Sequence, residues 1–148
     1  MPRMLLVTIA TSGFLFLTGL SVTAAAAELA IEVRGVRSDT GRIYVAVHDS
    51  RNSSSFPYAE DMFAGLQQEA RKGTMRFVFH DLPAGRYALS AFHDENDNAA
   101  LDADALGIPH EGFGFANDPP SDNGPASFEA ASVSVGDGPV TTVLTMSY

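Results

Sequence analysis

The 148-residue chain contains no cysteine. Neither a disulfide framework nor a thiol nucleophile is available to it, so its stability must come from a packed core or from a bound ion. Basic residues are scarce as well: nine Lys and Arg stand against eighteen Asp and Glu, a formal net charge of −9. Nucleic acid and anionic lipid both require phosphate charge to be neutralised by Lys and Arg, so this balance argues against either partner and favours cations or basic ones. No GxSxG elbow and no glycine-rich phosphate loop after a strand occurs, which removes support for serine-nucleophile and nucleotide chemistry. Beyond the N-terminus there is no apolar run of membrane-spanning length.

The N-terminus is different. Arg3 supplies a positive start, Met4 to Leu20 an apolar stretch interrupted by Thr8, Thr11, Ser12, Gly13, Thr18 and Gly19, and Ala24 to Ala27 a run of small residues before Glu28. That is the layout of a secretory signal peptide over residues 1–27, which leaves residues 28–148 as one domain, periplasmic or secreted, with no transmembrane segment after cleavage.

Within that domain the apolar pattern has period two. Leu29, Ile31 and Val33 alternate with polar or small residues, as do Ile43, Val45 and Val47, and the SDTG turn between them predicts a hairpin. Met75, Phe77 and Phe79 mark a third strand; Asp81 to Gly85 form a turn, and Arg86 to His93 a fourth strand. Ala130 to Val135 and Val140 to Met146 close the domain. Between Asp49 and Gly73 the alternation fails, and Met62, Phe63 and Leu66 fit one face of a short helix or an irregular connection. The pattern predicts an all-β, antiparallel sandwich of about seven strands with one long polar loop, Asp94 to Pro125.

The blocks FVFHDLPAGRYALSAFHDENDN, LDADALGIPHEGFGFAND and GPASFEAASVSV resemble a bacterial family of exported proteins classed as domain of unknown function number 2141. Ala99 stands where that family usually has glycine. The resemblance implies a transthyretin-like or immunoglobulin-like sandwich without a settled activity. The strand–LPAG–strand turn also resembles carboxypeptidase regulatory domains, which are mostly non-catalytic.

The chemistry concentrates after His93. Asp94, Asn96, Asn98 and Asp102 offer oxygen-bearing side chains at alternate positions, Ala100 a backbone carbonyl and Asp104 a further carboxylate: the first part of an EF-hand-type calcium loop. Ala99 and Ala105 replace the glycine and the distal glutamate of that motif. The same residues also suit a polar turn in which Asp and Asn bond their own backbone.

A second reading makes the protein a metal-dependent envelope hydrolase using His93 with Asp94 and His110 with Glu111. His48 and His80 complete the histidines, but no pair has the close spacing of a helical or finger-type ligand set. Phe113 and Phe115 fit either a loop anchored on the sandwich edge or an aromatic surface for a peptide, glycan or envelope protein.

Overall fold

The computed structural model describes residues 27–120 and 124–148. The expected leader lies outside the described residues except for Ala27, which opens the first strand. Eight strands follow in order: β1 (Ala27–Val36), β2 (Arg42–Asp49), β3 (Ala64–Glu69), β4 (Gly73–Leu82), β5 (Gly85–Asp94), β6 (Phe113–Phe115), β7 (Ser132–Val135) and β8 (Val140–Thr145). They form two packed sheets, β4–β1–β8 and β3–β2–β5–β6, with β7 pairing the first half of β5. The fold is an all-β sandwich. All its strand pairs are antiparallel except β1 with β8, which run parallel.

The period-two residues build the core. Leu29, Ile31 and Val33 from one sheet meet Ile43, Val45, Val47 and Leu89 from the other, around the fully buried Phe77 and Leu144. Alternation sends every second side chain to one face of its strand, and these faces are turned toward each other.

The expected β1–β2 hairpin does not form. β1 pairs with β4 and β8, β2 pairs with β3 and β5, and the chain between them crosses from one sheet to the other. Groups outside a hairpin hold this crossing: Arg37 bonds Glu95, Asp39 accepts the amide of Lys72 at 2.6 Å, and the carbonyl of Thr40 binds His93. Two buried faces of the same period satisfy the pattern equally well as neighbours in one sheet or as opposing layers.

The stretch expected to be helical or irregular contains two short 3-10 helices, Ser50–Ser55 and Ala59–Asp61, followed by β3. Pairing along six consecutive positions of β2 satisfies the β3 backbone on one side. Leu66 faces across from Val45 rather than along a helix face with Met62 and Phe63.

A second apolar cluster of Phe56, Ala88, Phe115, Ala126, Phe128 and Ala131 packs on the outer face of the five-stranded sheet. Ala88 alternates with the core residues Tyr87 and Leu89, which places this cluster on the opposite side of the sheet. Phe115 lies edge-on to Phe56 at 5.8 Å and Phe113 to Phe115 at 6.0 Å, so the two rings anchor the long loop.

Candidate metal centre

β5 delivers His93 and Asp94, both fully buried, to the start of the polar loop. The His93 ring is fully engaged: Nε2 lies 2.7 Å from the carbonyl of Thr40 and Nδ1 2.8 Å from the hydroxyl of Tyr148. A carbonyl can only accept, so Nε2 carries the proton and Nδ1 accepts from Tyr148. The Tyr148 hydroxyl in turn accepts the amide of Arg37 at 3.1 Å. Burial pushes the Tyr148 hydroxyl above its ordinary value.

Asp94 organises the next turn. Its Oδ1 accepts the amide of Asn98 at 3.1 Å and its Oδ2 that of Ala99 at 2.8 Å. These bonds bring the chain back over the carboxylate, and the reversal places Asp97 and Ala99 at φ 59° and 61°. Ala99 thus adopts the left-handed conformation for which glycine is better suited. Asn96 Oδ1 accepts from Asn98 at 3.0 Å, and Asn98 Oδ1 from Ala100 at 2.9 Å. The two amide nitrogens converge on Asp102, at 2.5 Å from Asn96 and at 3.0 and 3.1 Å from Asn98.

Glu111, paired with His110 in the hydrolase reading but left out of the calcium-loop set, belongs to this assembly. It is buried, with Oε1 accepting the amide of Glu95 at 2.8 Å and Oε2 that of Asp102 at 3.1 Å. A bridge between Ala103 and Pro109, together with the His110 amide donated to Asp102, folds residues 102–110 back and returns Glu111 to the loop. The carboxyl of Glu95 is held below its usual range chiefly by its hydrogen bond from Arg37.

Asp104 stands apart. Its Oδ1 accepts the amides of Ile108 at 2.9 Å and Leu106 at 2.8 Å, and these bonds lower its carboxyl below the ordinary range. Of the six sequence-predicted positions, Asp94, Asn96, Asn98, Ala100 and Asp102 share one hydrogen-bonded loop, while Asp104 caps a neighbouring turn. Among the described residues no group of three His, Cys, Asp or Glu side chains stands together as a metal-binding cluster. The available set instead mixes carboxylates with amide and carbonyl oxygens, which is the donor chemistry of a hard cation.

In the pairs of the hydrolase reading, the carboxylates of Asp94 and Glu111 both accept backbone amides of the loop. His93 is locked by Thr40 and Tyr148, His110 is exposed, His80 lies 3.7 Å from Glu28 on the other sheet, and His48 is buried against Phe56.

No curated protein and no solved structure matches the chain. A family model described as "Uncharacterized protein conserved in bacteria (DUF2141)" matches residues 31–143, which span both sheets and the whole loop. The chain belongs to that family.

Proposed function

We propose that this domain is an exported, non-catalytic module of the cell envelope whose 94–111 loop is stabilised by calcium and presents its tip to an envelope partner. The observation that carries the reading is the buried Asp94 carboxylate accepting the amides of Asn98 and Ala99. It folds the chain back so that the amide groups of Asn96 and Asn98 lie against Asp102, which gathers the alternating oxygen-bearing residues of the first part of a calcium loop. Each amide oxygen that accepts one backbone N–H retains a second lone pair. The left-handed Ala99 meets the conformational demand usually left to glycine, and the buried Glu111 supplies a carboxylate that Ala105 cannot.

Export is supported by the leader-like residues 1–27. A non-catalytic role is supported by the engagement of both ring nitrogens of His93. Leu106 and Ile108, 85% and 58% exposed at the loop tip, are apolar contact points for a peptide, glycan or protein partner.

Thermal unfolding in excess EDTA and then in millimolar calcium, for the wild type and Asp94→Ala, tests the ion site. A cation that binds only the folded state adds about 2.7 kcal/mol when its concentration is a hundred times its Kd. Calcium is expected to raise the wild-type midpoint and leave Asp94→Ala unmoved. Equal midpoints with and without calcium in the wild type would make the loop a self-sufficient polar turn.

A further inference from the structure

The two ends of the sandwich are closed differently. Between β6 and β8 the sheets are bridged by Phe113 with Ser147 and Ala116 with Leu144, which covers that side. On the opposite side β3 and β4 are the free edges. The pairing of β4 with β1 is interrupted by two register shifts, and Arg76 and His80 are exposed on it, features that discourage pairing with another chain. β3 is less protected: it pairs with β2 without interruption, carries neither proline nor lysine, and has its one charged residue, Glu69, at its end.

Its alternation is fixed by Ala70, which gives its amide to Gly41 at the opposite register position. Residues 64, 66 and 68 therefore turn their backbone groups toward β2, whereas Gly65, Gln67 and Glu69 turn theirs to the open side. Leu66, 37% exposed, stands in the middle of this edge.

We infer that β3 is a homodimerisation edge, pairing antiparallel with β3 of a second copy about a twofold axis at Leu66. In that register Gly65 and Gln67 exchange backbone hydrogen bonds across the axis, and Leu66 meets its own counterpart in a non-hydrogen-bonded pair. Flanking charge favours a second copy over an arbitrary strand. Exposed Glu60 and Asp61 precede β3 and exposed Arg71 and Lys72 follow it, and none of these four makes an ion pair among the described residues. Antiparallel pairing at Leu66 brings Glu60 toward Lys72 and Asp61 toward Arg71 at both ends of the interface.

The absence of cysteine makes the register directly testable. Paired Cα atoms at a non-hydrogen-bonded antiparallel site lie about 4.5 Å apart, inside the disulfide range of about 4.4–6.8 Å. Leu66→Cys in the full chain is expected to form a covalent dimer rapidly under mild oxidation, while Ala105→Cys on the exposed loop links only at the rate of random collision.

Sedimentation velocity from low micromolar to near-millimolar concentration is expected to show a wild-type monomer–dimer equilibrium. Leu66→Lys, which sets like charges opposite each other, should raise the dissociation constant at least about tenfold. Gln67→Pro removes an amide that faces only the open side and should weaken the dimer without loss of fold, with circular dichroism checking the latter. A wild type that stays monomeric throughout, a dimer unaffected by Leu66→Lys, or equal linking of the two cysteine variants would each overturn the proposal. A purely monomeric protein would leave the edge to a strand from a different partner.

Discussion

His48 shows how a residue's role depends on what covers it. It points away from the main core, on the face where polar side chains of β2 would meet water, yet it is fully buried and neither ring nitrogen has a hydrogen-bond partner among the described residues. Phe56 covers it edge-on at 5.1 Å. Burial lowers its pKa below the ordinary 6.5, against the smaller opposing pull of Asp61 and Asp49. The folded protein therefore holds the neutral imidazole, and as pH falls below 6.5 the unfolded chain takes up protons first. The stabilisation from neutral His48 is complete above that pH and declines as pH falls through the lowered folded value. The lowered carboxyls of Glu95, Asp49 and Asp104 act at lower pH. Urea midpoints between pH 8 and 5 are expected to drop for the wild type and to be flatter for His48→Leu; parallel curves would place the proton uptake elsewhere.

At the scale of elements, the GFGF stretch is a closure device. A methyl group on Gly114 would sit 2.5 Å from the Thr145 carbonyl and 2.6 Å from a Leu144 methyl, so only glycine lets β6 lie this close to β8. Gly41 meets a similar limit where the β1–β2 crossing passes the polar loop: at φ 73° its added methyl would lie 1.9 Å from the Asp94 carbonyl. Gly114→Ala is expected to cost about 1–3 kcal/mol in chemical denaturation, because the nearest obstructing group is a backbone carbonyl. An unchanged midpoint would show that β8 can withdraw from β6 at no cost.

These contacts also mark what the sequence could convey. Alternating Leu29, Ile31 and Val33 announced a strand with one buried face, and the DENDN run announced an oxygen-rich turn. Neither pattern names its neighbour: the β1–β2 crossing, the strand character of β3 and the return of Glu111 to Asp102 all depend on contacts distant in sequence. Glu111 was marked in the sequence by its neighbour His110, not as a member of the oxygen-rich turn. Its carboxylate became identifiable as part of the loop once the 102–110 reversal was seen.

At the scale of the molecule, two separate apolar clusters pack on opposite faces of the five-stranded sheet, and the clusters should not carry equal weight. Phe77 sits fully buried among residues of both sheets, so its loss removes contacts that hold the layers together. Phe128 is buried in the smaller outer cluster, where it meets Phe56 at 6.2 Å and helps hold the segment between β6 and β7 against β5. That segment is tied to β5 by amides running from Leu89 to Ala131 and from Ala116 to Leu89. Phe77→Ala is expected to cost about 3–5 kcal/mol and to lower protection of all core amides together, as a cavity in a shared core does. Phe128→Ala should release the outer segment first, so hydrogen exchange would quicken at Leu89 and Ala116 while the amides of Ile31 and Val33 keep their protection. Uniform acceleration in Phe128→Ala would instead make both clusters one cooperative unit. The outer layer would then be as necessary to the sandwich as the core between its sheets.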